Sequence, residues 1–215
     1  MPRVPLLRLV TLAAGLLAVA SPVHAQLGAR STAEWLKTLD SQNRVGRLKV
    51  DEAVGRLGLS PGAVVADIGA GSGVFTLPLA RAVPQGRVYA VDIDQGLVDH
   101  IARKAEEARA ANVRPVLGAF TDPRLPGRDL DVAFIFDVLH HIEDRATYLR
   151  SLAGYLRPGG RIAVIDFHPE LGPHKNDPKL QVTRDQAREW MAAAGLRPLA
   201  EHQLYDDKWY VVYGR

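Results

Sequence analysis

The sequence contains no cysteine among its 215 residues. Disulfide scaffolds, thiolate nucleophiles and cysteine-ligated zinc or iron–sulfur sites are therefore excluded. A strong charge of one sign is also missing, because 27 basic residues face 24 acidic ones and the net charge is +3. No block of five or more Lys and Arg residues occurs, so the sequence does not support nucleic-acid binding.

The first 25 residues follow the pattern of a secretory signal peptide. Arg3 and Arg8 precede an apolar run over residues 9–19, and a small-x-small ending reaches Ala25. The run is shorter than the roughly 20 residues that a membrane-spanning helix needs. We therefore predict cleavage after Ala25 and export to the periplasm or the medium, without a stable membrane span. An uncleaved anchor is the alternative.

The sequence predicts a helical extension at residues 26–47 and one domain at residues 48–215. In the extension, Trp35 and Leu39 have helical spacing after a capping pattern that begins at Ser31. We expect this helix to pack on the outside of the domain. A lid over a site is the alternative.

Short apolar runs and amphipathic helical stretches alternate through the domain. The predicted strands cover residues 63–68, 87–91, 113–117, 131–136, 162–167, 197–204 and 209–213, and the predicted helices cover residues 51–59, 74–81, 95–110, 145–156 and 183–194. Continuous Val, Ile and Ala runs are typical of a parallel sheet covered by helices on both faces. Only four residues separate the last two strands, so that pair is antiparallel. The predicted fold is α/β, a doubly wound, Rossmann-like sheet of seven strands, mostly parallel with an antiparallel last strand.

A glycine-rich segment at residues 67–73 follows the first predicted strand and precedes a helix, where a doubly wound sheet binds its ligand. A dinucleotide fingerprint needs a glycine at the sixth position counted from Gly69, but Val74 stands there. The carboxylate of Asp67 would repel a pyrophosphate and would attract an ammonium or sulfonium group. The segment therefore favours a cationic ligand.

The second predicted strand ends in two acidic residues. Asp92 lies 21 residues after Gly71, the spacing at which a carboxylate accepts hydrogen bonds from ribose hydroxyls. Ile93 offers an apolar wall for an adenine ring. Asp94 is better explained as the N-cap of the next helix.

These segments resemble the class I S-adenosylmethionine-dependent methyltransferases, in particular the single-domain type that acts on small molecules. The resemblance runs from about residue 45 to the C-terminus. It rests on the glycine motif at 67–73, the acidic strand end at 91–94, the segment at 131–141 and the Leu-Arg-Pro-Gly-Gly-Arg segment at 156–161.

The resemblance implies a set of cofactor-binding residues. The loop residues Gly69, Ala70, Gly71 and Gly73 would contact the methionine and ribose part of S-adenosylmethionine. Asp92 would hold the ribose hydroxyls, with Ile93 beside the adenine, and Asp67 would orient the amino-acid end, often through water. Asp122 would accept a hydrogen bond from the adenine amine, and Asp137 would flank the methionine end.

Histidines are the candidate catalytic bases, because their pKa lies near neutral pH. His140 and His141 follow the fourth predicted strand at the edge where the site is expected, and they are preferred over His168 and His174 in the loop after the fifth strand. Together with Asp137 and Glu143 the adjacent pair invites a metal site. Adjacent histidines point differently, however, and no third ligand is defined by the spacing, so we predict no metal.

The predicted function is methyl transfer from S-adenosylmethionine to an unidentified small-molecule acceptor by direct in-line displacement. One alternative is an exported protein that binds S-adenosylmethionine without transferring its methyl group. The other is a nicotinamide-dependent oxidoreductase, which Asp67 and Val74 disfavour.

Overall fold

The computed structural model describes residues 30–215, and residues 1–29 lie outside the described part. The predicted signal peptide falls in the latter range and stays a prediction. The described helices are α1 (Thr32–Leu39), α2 (Gln42–Val45), α3 (Val50–Gly55), α4 (Thr76–Ala82), α5 (Gln95–Glu107), α6 (Arg145–Ala153) and α7 (Arg184–Ala193). Two short 3-10 helices cover Leu139–His141 and Pro178–Leu180. No helix within residues 30–215 is long and apolar enough to cross a membrane.

Seven strands form one sheet in the order β3-β2-β1-β4-β5-β7-β6. They are β1 (Val64–Ile68), β2 (Arg87–Asp92), β3 (Val113–Leu117), β4 (Leu130–Phe136), β5 (Leu156–Phe167), β6 (Arg197–Glu201) and β7 (Lys208–Gly214). The five neighbouring strands β3, β2, β1, β4 and β5 pair in parallel. Strand β7 is antiparallel to both of its neighbours, β5 and β6. This arrangement confirms the predicted fold class, including the reversed last strand.

Alternate residues of each strand enter two separate cores, one on each face of the sheet. In β4, Phe134 packs with α3, α4 and α5 on one face, and Ile135 packs with α6 and α7 on the other. Both side chains are fully buried. The continuous apolar runs of the sequence therefore reflect burial on both faces.

Several element ends differ from the prediction for local reasons. Helix α5 ends at Glu107 because Arg109 adopts a left-handed conformation with φ of 53°. Helix α6 ends at Ala153, since Leu156 pairs with Leu130 as the start of β5. Strand β7 begins at Lys208, a residue that the sequence placed in the connecting loop.

Candidate active site

A recess lies at the carboxyl ends of β1, β2 and β4. Its volume is about 180 Å³. Gly69, Asp92, Phe120, Asp137 and His141 contribute to its wall. This is the edge at which open α/β sheets bind their ligands.

The glycine loop is tied to the end of β2 by its backbone. Gly69 and Ala70 both donate N–H hydrogen bonds to the carbonyl of Val91, at 2.8 and 2.9 Å. Gly71 donates its N–H to the Asp92 carboxylate at 2.8 Å. Of the predicted loop residues, Gly69 and Gly71 line the recess, whereas Ala70 and Gly73 do not.

Gly69 is required by both its conformation and its surroundings. Its φ is 68°, and a Cβ at this position would lie 2.4 Å from Cγ2 of Val138. We expect Gly69→Ala to destabilise the protein by about 2–4 kcal/mol, from left-handed strain of about 1–2 kcal/mol and the steric clash. Urea denaturation measures this change.

A double-mutant cycle separates the two causes. Val138→Ala removes the clashing methyl groups, so the loss in the Gly69→Ala/Val138→Ala variant should be smaller than the sum of the single losses by about 1 kcal/mol or more. Strict additivity would contradict the proposed clash.

Asp92 is buried at the floor of the recess, with 8% of its surface exposed. Besides the bond from Gly71, its carboxylate accepts a 3.1 Å hydrogen bond from the N–H of Asp94. Burial raises the pKa of Asp92, and the backbone donors oppose that rise. Asp94 itself caps α5 by accepting from the N–H of Leu97, which confirms its predicted role.

Asp67 lies behind the glycine loop and does not line the recess. It is 3% exposed, and its carboxylate accepts a 2.7 Å hydrogen bond from the hydroxyl of Thr76. Burial raises the pKa of Asp67 to about 7, and the nearby charge of Asp92 adds to the rise.

The raised pKa predicts a pH-dependent effect of Asp67→Asn on stability. Between the unfolded value of 3.8 and the folded value of about 7, the folded protein holds a proton that the unfolded chain has released. The Asp67 contribution therefore lowers wild-type stability as pH rises through this range. The stability of the variant relative to wild type should increase by about 2–4 kcal/mol between pH 4 and pH 8.

Chemical denaturation of both proteins across this pH range measures the difference. The amide loses the charge but can still accept from Thr76, so the comparison isolates ionisation. A difference that does not change with pH would contradict a buried, titrating carboxyl at this position.

Asp137 follows β4 and meets two cations from distant parts of the chain. Its carboxylate lies 3.0 Å from Nζ of Lys208 and 3.9 Å from a guanidinium nitrogen of Arg44. Burial raises the pKa of Asp137 to about 6, whereas the charge of Lys208 lowers it. Lys208 is 6% exposed, and its ammonium lies over the ring of Phe167.

Three buried carboxyl groups with raised pKa values thus lie in or directly behind the recess: Asp67, Asp92 and Asp137. Burial destabilises such groups as anions, and only at Asp137 does a nearby lysine, Lys208, already offset part of this cost. The recess therefore suits a ligand with cationic groups, as a sulfonium and an ammonium would supply. Apolar walls at Ile93 and Phe120, 36% and 39% exposed, suit a flat aromatic ring.

The structure does not bring Asp122 to the recess. Its carboxylate instead accepts hydrogen bonds from the hydroxyls of Ser151 and Tyr155, and from the N–H of Arg124. These donors hold Asp122 in a turn against α6. Its segment does reach the recess, through Ala119 and Phe120.

The two histidines of the predicted catalytic pair have different surroundings. His140 is 4% exposed, and its Nδ1 lies 2.7 Å from the carboxylate of Asp166, outside the recess wall. His141 lines the recess, but burial and the neighbouring His140 lower its pKa to about 3. A group with so low a pKa is a weak base near neutral pH. Catalysis by this pair stays a prediction.

Helix α1 contributes residues that the sequence placed on the outside of the domain. Trp35 and Leu39, four residues apart on one helical face, line the recess. Thr32 at the start of α1 donates a 3.2 Å hydrogen bond to Asp94, which fastens the helix beside α5. The geometry thus favours the lid alternative. The helical spacing of Trp35 and Leu39 indicated that they share one face of a helix. The sequence did not indicate that this face packs over the recess.

Comparisons with known proteins agree with this geometry. Residues 65–160 match the family model described as a methyltransferase domain. An uncharacterized methyltransferase of Mycobacterium tuberculosis is 38% identical over 104 residues, which cover 48% of this chain and half of that protein. The trans-aconitate 2-methyltransferase of Azoarcus is 29% identical over 170 residues, 78% of this chain and 60% of the relative. The matches therefore span about half the length of the first of these curated relatives.

Solved structures share the fold. A SAM-dependent methyltransferase from Aquifex aeolicus superposes with a TM-score of 0.77 at 22% identity, covering 86% of this chain and 98% of that one. Magnesium protoporphyrin IX methyltransferase from Synechocystis, solved with bound SAM, gives 0.65 at 22% identity, covering 85% and 90%. Residues 65–160 thus match a methyltransferase domain, and the described chain shares its fold with solved methyltransferases.

Proposed function

We propose that the protein transfers a methyl group from S-adenosylmethionine to a small-molecule acceptor. The observation that carries this proposal is the recess, in which the glycine loop, the buried carboxylate of Asp92 and apolar walls meet at one edge of the sheet. When bound, the cofactor supplies an electrophilic methyl group on a positively charged sulfur. The protein needs to contribute no nucleophile of its own.

The side chains of the recess divide the binding task. The Asp92 carboxylate accepts hydrogen bonds from the ribose hydroxyls, and Ile93 and Phe120 cover the adenine faces. Asp137 follows β4, whereas Asp92 ends β2. We assign the Asp137 carboxylate to the ammonium of the methionine end. The buried positions of both carboxylates support these roles.

The main catalytic contribution of the protein is alignment. Holding the acceptor atom, the methyl carbon and the sulfur in line can supply about 7–11 kcal/mol of the barrier. Trp35 and Leu39 of α1 cover the recess and exclude water from it. This supports a direct in-line displacement under a helical lid.

A small acceptor suits a recess of about 180 Å³. His141 and Ile142, which follow Asp137 in the chain, also line the recess, and this is where we place the acceptor. Two relatives, named as trans-aconitate 2-methyltransferase and demethylmenaquinone methyltransferase, have small molecules in their names. The near balance of acidic and basic residues supports the same class and gives no support for nucleic acid.

Incubation of the full-length protein with S-adenosylmethionine carrying an isotopically labelled methyl group tests the proposal. In the presence of fractionated small-molecule extracts, we expect formation of the demethylated cofactor together with a labelled product. Asp92→Ala is the matched inactive control. Binding of the cofactor without labelled product from any fraction would favour the binding-only alternative, and absence of binding would refute the proposal.

A further inference from the structure

Three histidines from two separate segments meet beside the recess. His140 and His141 lie in the 3-10 helix after β4, and His174 lies in the loop between β5 and α7. One ring nitrogen of each lies within 4.8 Å of the others. The ring centroids are 4.1, 5.1 and 5.4 Å apart. The third ligand that sequence spacing did not define is therefore supplied by the fold.

Asp166 orients the first of these rings. Its carboxylate lies 2.7 Å from Nδ1 of His140 and also accepts a 3.0 Å hydrogen bond from the backbone N–H of His140. Asp166 is 1% exposed. A carboxylate at Nδ1 keeps the proton on that nitrogen, so the lone pair of Nε2 stays available. Metal-binding histidines are commonly held by a carboxylate in this way.

His141 has a buried nitrogen that no described residue satisfies. Its Nδ1 is inaccessible to solvent and makes no hydrogen bond within residues 30–215. An unpaired buried polar atom is costly, and a neutral imidazole can regain the loss by coordinating a cation. The pKa values of His141 and His174 are both lowered, first by burial and then by the neighbouring His140, so both rings are neutral ligands at neutral pH.

The charges around the cluster allow a divalent ion. Asp166 supplies one negative charge in contact with His140. The nearby cation Arg145 points to backbone carbonyls, those of His140 at 2.8 Å and Lys179 at 2.7 Å. Its charge is thereby partly compensated.

We propose that His140, His141 and His174 bind a divalent transition-metal ion of the zinc class. Three imidazole nitrogens with an open fourth position are a recognised zinc coordination set. With ligand bonds of 2.0–2.1 Å, tetrahedral coordination needs ring nitrogens about 3.3 Å apart, so the rings must close by up to about 1.5 Å. His174 lies outside the regular helices and strands, so we assign this movement to it. Because His141 also lines the recess, the ion would lie next to the recess.

Metal binding by the full-length, tag-free protein tests the proposal. After removal of metal by a chelator, Zn²⁺ is titrated in competition with a chromophoric chelator, and Co²⁺ is used to record ligand-field spectra. We expect one ion per chain and a four- or five-coordinate Co²⁺ spectrum. His174→Gln should weaken binding by about 100-fold or more, and Asp166→Asn by about 10–100-fold.

His202→Gln is the matched control, because it removes a histidine whose ring packs on Tyr210 away from the cluster. This variant should bind the ion as the parent does. Equal affinity in His174→Gln and His202→Gln would overturn the proposal, as would an octahedral, weakly bound Co²⁺ in the parent protein. The parent spectrum decides the matter even where a variant fails to fold. The metal titration uses neither cofactor nor methyl acceptor, so its result does not depend on the proposed methyl transfer.

Discussion

Asp92→Ala is expected to weaken the binding of S-adenosylmethionine by about 100-fold or more. A hydrogen bond to a charged group contributes roughly 1.5–3 kcal/mol, so loss of two ribose contacts costs at least about 3 kcal/mol. The substitution also frees the N–H of Gly71, which Asp92 holds at 2.8 Å. Both effects act on the same end of the recess.

Isothermal titration calorimetry of the full-length protein with S-adenosylmethionine measures this change. Asp99→Asn is the matched control, because it removes one negative charge from the exposed face of α5, where Asp99 accepts a 2.8 Å hydrogen bond from Gln95. Its affinity should equal that of wild type. An Asp92→Ala protein that keeps its fold and binds within threefold of this control would refute the assignment of the ribose contact.

Lys208→Met is expected to destabilise the protein by about 3–5 kcal/mol at pH 8, the usual cost of leaving one partner of a buried ion pair without the other. Lys208 is the cation nearest to Asp137, at 3.0 Å, and both side chains are largely buried. Arg44, at 3.9 Å, is too distant to replace it fully. The loss should shrink toward pH 5, because the pKa of Asp137 is about 6 before the cation is removed and rises further afterwards.

Urea denaturation at the two pH values measures these losses. Lys37→Met, on the exposed face of α1, is the control for the same change of side chain and should cost little. The Lys208→Met/Asp137→Asn double variant removes both charges and should be more stable than Lys208→Met at pH 8. A double variant as unstable as the sum of the two single variants would show that the pair is not coupled.

The sheet is predictable from the sequence because its signals are local. Runs such as residues 132–136 are apolar at every position, and a strand buried on both faces requires that pattern. The glycine loop and the N-cap at Asp94 are equally local, since each depends on backbone geometry within a few residues. The same applies to the short connection between β6 and β7, residues 202–207, which makes the last strand pair antiparallel.

The site itself was only partly predictable. Asp92 and Gly71 were recognisable because the strand-to-loop spacing places them together. Asp67 and Asp122 have the right sequence positions, but the Asp67 carboxylate is bonded to Thr76 and the Asp122 carboxylate to Ser151 and Tyr155, and neither faces the recess. A side chain's direction depends on which neighbour can donate to it, and that neighbour is set by packing.

The sequence by itself determined the layers of the fold, the edge of the sheet that binds a ligand and the preference for a cationic one. Only the tertiary structure decided which groups face one another there. Lys208 and Arg44 meet Asp137, and His174 meets His140, across separations of 30 residues and more. No local periodicity encodes such contacts, because they arise when the crossover connections and the reversed strand bring distant segments to one edge of the sheet.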